Sequence, residues 1–427
     1  PWMKIQHIKS ISSFGGINFV FEFLKQLNID TFFNSNLTSL TPQSFYRWSD
    51  IIHSLLSIYL CGGDHVEDLQ THLKPHFDKN PLLKIASPDV VLRRLKQLAV
   101  EDMTCRTKRG SIEHIYNDNV LLAELNIRLL KKLGVFSTET ITLDYDNTII
   151  FNEKSDSKMT YKRNPGYQPG VCTVNEEHFL FIEGRNGNSD AKSFQDQTLK
   201  RMFDLLQANG IDKIKHFRAD AASYQWDVVD LLTKRVENFY IGCRNSYVEK
   251  YFCTVENWES VMDEDEGLMQ VGEVLITPFE NHSNQEQFRL IVKRKPNKDG
   301  QINLITKDAY EYRAILTNNI EWSTQEVAVF YNHRGNMEKQ FDIVKNDFGW
   351  KYMPFSTLRQ NTVFLYLTAI CRNLYHQIIQ HFSSKTKHLK PTYRLKKFIF
   401  RFIILPAAWI RGGRQNYLRV YGKPYFY

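Results

Sequence analysis

The spacing of apolar residues changes period near Thr138, and that change limits the fold more than any other feature of the chain. Upstream, Ile17–Leu27 and Phe45–Cys61 carry apolar residues at helical spacing, with Gly15-Gly16 and Gly62-Gly63 as breaks. Residues 1–137 are therefore expected to form a helical N-terminal domain. Downstream, Thr140–Ile150 is rich in β-branched residues and predicts a strand, followed by the turn-rich run Asn164–Gly170. Gly170–Val174 and His178–Glu183 then predict a hairpin. Phe194–Ala208 predicts an amphipathic helix, Lys213–Ala219 a strand, Trp226–Lys234 a helix and Asn238–Cys243 a strand. Strands first and alternation afterwards imply an α/β (α+β) fold, a mixed sheet flanked by helices.

With 427 residues the chain exceeds one ordinary core, so two or three domains are expected. The net charge of +8 conceals an asymmetry: from Phe348 to Tyr427 there is no Asp or Glu and there are 14 Lys and Arg, which leaves 41 basic and 47 acidic residues elsewhere. A basic C-terminal region (361–427) behind an acidic body points to a polyanion, nucleic acid before membrane. The six cysteines are scattered without a Cys-x-x-Cys pair, which argues against a zinc ribbon or a disulfide framework and fits a reducing cytosol. The apolar runs Ile51–Cys61 and Phe398–Ile410 are too short to span a bilayer, so a cytoplasmic protein without membrane contact is expected.

Ser87-Pro88-Asp89 supplies a cap and a first-turn proline for a helix bearing Arg93, Arg94 and Lys96. That helix reads either as the second element of a helix-turn-helix or as an ordinary surface helix. Between about 251 and 320 the alternation breaks. The acidic run Asp263–Glu266 is followed by four short strand-like segments, Val271–Pro278, Phe288–Lys293, Gln301–Thr306 and Tyr312–Thr317, a β-rich insertion into the core begun at 138–250. Ser323-x-x-Glu326 then forms a capping box that opens a helix completing the core over 321–360. Wound at 100° per residue, Tyr331, Arg334, Glu338 and Lys345 fall within an arc of about 60°. One carboxylate flanked by two cations and a phenol suits a metal ion and a phosphodiester; a solvated amphipathic face is the alternative. Gly335 costs such a helix about 1 kcal/mol relative to Ala and marks a kink or a close backbone contact.

Two further acidic candidates lie in strand contexts. Asp144 and Asp146 share one face of their strand because side chains alternate. Carboxylates in an apolar strand need a compensating cation or water at a strand edge. Asp220 ends the strand at Ala219 just before a helix, where it reads as a functional residue at a strand's carboxyl end or as a helix cap.

Tyr-x2-Arg-x3-Glu-x6-Lys, here Tyr331, Arg334, Glu338 and Lys345, resembles the signature of a large group of bacterial insertion-sequence DDE transposases. Asp146-Asn147-Thr148 is similar to that group's first catalytic strand, and Arg218-Ala219-Asp220 to its second. The resemblance is specific over residues 138–350 and implies a ribonuclease-H-like core interrupted by a β-rich insertion. By the same resemblance Asp146, Asp220 and Glu338 form the metal-binding triad for two Mg²⁺ ions, with Mn²⁺ as a substitute and Asp144 as a rival first ligand. Tyr331, Arg334 and Lys345 are expected at DNA phosphates, and Arg394, Lys396, Lys397 and Arg401 of the basic region at DNA as well. It further implies double-stranded DNA partners (terminal inverted repeats and target), a homodimeric synaptic complex, and a bacterial, nucleoid-associated setting. Trp258 and Trp322 are candidate base-stacking residues without a diagnostic spacing. Lys162, Tyr167, Arg185 and Asn188 read either as DNA contacts or as solvated loop residues. A nuclease of the same fold without strand transfer, or an inactive DNA-binding relic, remain the rival readings.

Overall fold

The computed structural model describes residues 11–107, 112–263, 266–282, 284–297, 299–302 and 305–422. Helices α1 (Ile17–Gln26), α2 (Ile29–Asn36), α3 (Trp48–Leu60) and α4 (Pro88–Gln97) build the N-terminal part. Gly15 and Gly16 are there for proximity rather than as simple breaks. A Cβ on Gly15 would lie 2.4 Å from the Leu405 carbonyl, and one on Gly16 would lie 2.0 Å from that of Phe402. The C-terminal segment therefore docks backbone to backbone against the entry to α1.

This region is not purely helical. Strands β1 (Met103–Arg106) and β2 (Glu113–Asn117) form an antiparallel hairpin before α5 (Val120–Lys132). With few β-branched residues, their sequence gives little strand signal. Beyond them lie β3 (Thr142–Asn147), a small sheet of β4 (Ile150–Phe151), β5 (Lys158–Met159) and β6 (Pro165–Tyr167), then β7 (Gly170–Val174) and β8 (His178–Arg185). Helix α6 (Gln195–Ala208), β9 (His216–Ala219), α7 (Trp226–Arg235) and β10 (Asn238–Cys243) follow, each within a few residues of its expected bounds. The next four strands are β11 (Glu259–Asp263), β12 (Gly267–Ile276), β13 (Phe288–Pro296) and β14 (Tyr310–Thr317). The strand expected over Gln301–Thr306 is absent from its described residues, 303 and 304 lying outside them, as do Glu264 and Asp265 of the acidic run.

The strands join one 11-stranded sheet in the order β1-β2-β8-β7-β3-β9-β10-β14-β13-β12-β11. Its centre is antiparallel at β8-β7-β3 and parallel at β3-β9-β10, the ribonuclease-H-like arrangement. The β-rich insertion extends this sheet rather than forming a separate one, because β14 pairs antiparallel with β10.

Helix α8 (Thr324–Asn332) opens with the expected capping box. It gives way to a 3₁₀ turn at His333–Gly335 and resumes as α9 (Asn336–Asp347), so the signature stretch is two helices, broken where Gly335 sits. Nothing lies within 4 Å of a Cβ at Gly335, which leaves the kink and removes the close-contact explanation. Helix α10 (Leu358–Lys385) was expected to belong to a basic surface. Instead it is largely buried, packing against β8, α5 and α3. Its Arg372 lies in the interior and donates to Gln340, and Arg359 pairs with Glu101. Buried apolar side chains from Ile17 to Ile403 form one continuous cluster, so the helical ends share the core of the large sheet. No described helix is long and apolar enough to cross a membrane.

Candidate active site

Strands β3 and β9 run parallel with Asp144 opposite Arg218 and Tyr145 opposite Ala219. One step further along both strands, Asp146 and Asp220 come side by side at the carboxyl ends. Alternation puts Leu143, Tyr145, Phe217 and Ala219 on the other face, where Phe217 meets Phe203 of α6. The polar face receives the signature helices.

Its inner rung is a closed ion network. The Arg218 guanidinium, fully buried, donates to both Asp144 oxygens at 2.6 and 2.8 Å, to Glu176 at 2.7 Å and to the Phe330 carbonyl at 2.7 Å. Glu176 accepts in turn from Asn336 at 2.7 Å and lies 3.5 Å from His333. To reach them, Glu176 adopts a left-handed conformation (φ 64°) in the β7–β8 turn, which costs a non-glycine residue about 1 kcal/mol. Arg218 thereby ties β3, β9 and the β7–β8 turn to both sides of the helix break. Asp144 is thus the counter-ion of Arg218, with both carboxylate oxygens engaged by the guanidinium.

The outer rung carries like charges. Burial and then the charge of Asp220 push the Asp146 carboxyl up to about 7, against the opposing pull of Arg334. One Asp146 oxygen accepts from the Asn147 amide at 2.7 Å and the other lies 3.2 Å from Arg334. Asp220 caps the 3₁₀ turn behind it through the Ala222 amide at 2.9 Å, so cap and candidate ligand are the same residue. Glu338 lies 3.9 Å from Arg334 and is 75% exposed. Three carboxylates thus share a single guanidinium. Among the described residues no three His, Cys, Asp or Glu side chains already converge as a metal cage. Hard oxygen donors in charge excess nevertheless fit a divalent cation, which would relieve the repulsion between Asp146 and Asp220.

Other expected residues have different places. The Tyr331 hydroxyl points inward, donating to the Ala219 carbonyl at 3.3 Å, and a Cβ on Gly242 would come within 2.3 Å of it. It positions the helix on β9 and β10. Next to it, at the end of α8, Lys293 bonds Asn332, which bonds Asp263 at 3.0 Å, so the insertion also grips the helix. Lys345 is partly buried, and burial, with the nearby charges of Lys351 and Lys162, holds its ammonium below the ordinary value. Arg394 pairs with Asp342 at 2.6 Å and Asp347 at 2.8 Å, fastening the C-terminal segment to α9. Lys396, Lys397 and Arg401 are exposed. Trp322 packs among His216, Tyr240 and Phe330, and Arg294 covers one face of the Trp258 ring at 3.8 Å. Tyr167 and Arg185 are buried partners of Asp156 and Glu183, and Asn188 donates to the Glu113 carbonyl. Glu176, and the role of Arg218 as its partner, escaped the sequence reading. The available signal was the i, i+2 repeat of charge on two strands, Asp144/Asp146 and Arg218/Asp220.

The family model described as transposase DDE domain, group 1, matches residues 7–422. The chain belongs to this family of DDE transposases. It is a DNA transposase, and the family's DNA cleavage and strand transfer depend on divalent metal. Among solved structures it is similar to a piggyBac transposase synaptic complex with hairpin DNA, at 12% identity over 91% of this chain and 80% of that one, with a TM-score of 0.42. A Mos1 transposase paired-end complex with the left transposon end shares 16% identity over 47% of this chain and 60% of the Mos1 chain, with a TM-score of 0.17. This chain therefore spans less than two thirds of the Mos1 chain. No curated protein matches it.

Proposed function

We propose that Asp146, Asp220 and Glu338 are the catalytic, metal-holding carboxylates with which this transposase cuts the ends of its element and joins them to target DNA. The observation that carries this reading is the like-charged pair Asp146/Asp220, seated at the strand ends beside one shared guanidinium, Arg334. Two Mg²⁺ ions, or Mn²⁺ in their place, would supply Lewis acidity to the attacking and leaving oxygens when bound there. Asp146 and Asp220 hold fixed positions because each side chain is bonded to its own following turn. Glu338, exposed and 3.9 Å from Arg334, would complete the ligand set, and Arg334 would meet a DNA phosphate. Lys345, with Lys162 and Lys351 near it, neutralises the neighbouring phosphates and fixes register without reading sequence. Exposed Lys396, Lys397 and Arg401 add backbone contacts. Joining two terminal inverted repeats to one target calls for two copies, and a homodimer acting at the bacterial nucleoid is the simplest assembly.

The test is metal-dependent cleavage and joining of end-labelled duplex from the flanks of the coding locus, comparing wild type with Glu338→Gln. Nicking at defined ends followed by joining, both lost in the variant, is the expected result. Cleavage without joining would make the chain a nuclease, and binding without cleavage by either protein would remove the triad's catalytic meaning.

A further inference from the structure

Beyond the strands of the core, residues 407–422 return as a hairpin whose base and tip differ in character. Strand β15 (Ala407–Gly412) pairs with β16 (Gln415–Val420) through six residues on each side. The base is fixed. Ser12 and Ala407 exchange backbone hydrogen bonds of 2.8 and 2.9 Å, and the Trp409 indole donates to Asn18 at 3.1 Å. The distal half, Arg411 through Tyr417, is exposed at every position. Its turn places Gly413 at φ 54° and Arg414 at φ 66°, the two positive φ values of a tight two-residue hairpin. Glycine and asparagine favour that second position and arginine does not, so an arginine there is held against local preference.

We propose that this ribbon enters the major groove of duplex DNA and reads base edges there. This rests on the reading of the chain as a transposase acting on DNA ends. A two-stranded ribbon fits the major groove, which is about 8.5 Å deep. Three residue steps from Arg411 to the tip extend about 10 Å. The exposed tip side chains (Arg411, Arg414, Gln415 and Asn416) are of the types that pair with guanine and adenine edges. Arg419 lies behind them on β16, opposite Ala408, and the nearest acidic residue earlier in the sequence is Asp347. Among the described residues none of the three arginines has an ion-pair partner, in contrast to Arg394 and Arg359. The rigid base transmits the tip's register to α1 and the core.

The experiment measures full-length protein binding by fluorescence anisotropy to a duplex from the flank of its coding locus and to a scrambled duplex of equal length. Arg414→Gly and Arg411→Ala are compared with wild type, and 7-deazaguanine replaces guanine in a third duplex to remove the N7 acceptor of each guanine from the major groove. Arg414→Gly should melt no lower than wild type yet bind the flank duplex at least about tenfold more weakly, with a smaller loss on the scrambled one. The 7-deaza duplex should weaken wild type and leave Arg414→Gly little changed. Unaltered binding by both variants overturns the ribbon alone. An equal loss on both natural duplexes, with a shallower salt dependence, places the tip on the phosphates and overturns groove reading. Wild type that binds neither duplex overturns the DNA-end reading and the ribbon together.

Discussion

Two adjacent rungs on the same pair of strands hold opposite kinds of charge. The inner rung sets Asp144 against Arg218, and every charge there has a partner. The outer rung, one alternation further, sets Asp146 beside Asp220 with only Arg334 to share. Nothing in side-chain type separates Asp144 from Asp146; the neighbour across the strand does. A compensated buried charge specifies where the helix sits, whereas an uncompensated pair is unstable until something positive arrives. The molecule holds its strain at the outer rung because the inner one is locked.

The largest expected effect comes from breaking the inner rung. Arg218→Met leaves Asp144 buried without a partner and should cost about 3–5 kcal/mol of stability, read by denaturant unfolding. A loss below about 1 kcal/mol would mean that the network is not what fixes the helix. Asp146→Asn should do the reverse: the fold stays at least as stable, while cleavage falls by about a thousandfold or more, since the metal's contribution to the transition state is several kcal/mol. Retained cleavage in that variant would remove Asp146 from the site.

A smaller effect is the pH dependence of the metal-free protein. Asp146 has a folded value of about 7, above the ordinary 3.8. Its contribution to stability is therefore fully present below about pH 4 and lost as pH rises through about 7. Melting temperature should fall from about pH 5 to pH 8, and Asp146→Asn should flatten that fall. The smallest change concerns the break that joins the two rungs to the helix. Gly335→Ala finds open space and should raise stability by about 0.5–1 kcal/mol. A clear drop would show that the 3₁₀ turn needs glycine's freedom.

Much of this was legible in the chain. The period change at Thr138 and the β-branched runs placed β3, β7, β8, β9 and β10, because local alternation decides such strands. Asp146, Asp220 and Glu338 could be singled out by motif and position. Residues whose roles depend on what lies across the sheet could not be assigned so directly. Arg218 looked like part of a motif and is a buried clamp; Tyr331 looked like a phosphate ligand and is a spacer against Gly242. The basic C-terminal count is divided between surface and interior for the same reason. Charge was read along the sequence, whereas Arg372 went into the core and Arg394 onto α9. Helix α10 carries so few charges over 28 residues that its burial was the better inference.

The most direct measurement is the change in melting temperature on adding Mn²⁺ at neutral pH to wild type, Asp146→Asn and Asp144→Asn. A ligand that binds only the folded state raises stability by mass action. Wild type should gain, Asp146→Asn should gain little, and Asp144→Asn, though less stable at the start, should gain as wild type does. A gain kept by Asp146→Asn and lost by Asp144→Asn would contradict the assignment of the two rungs.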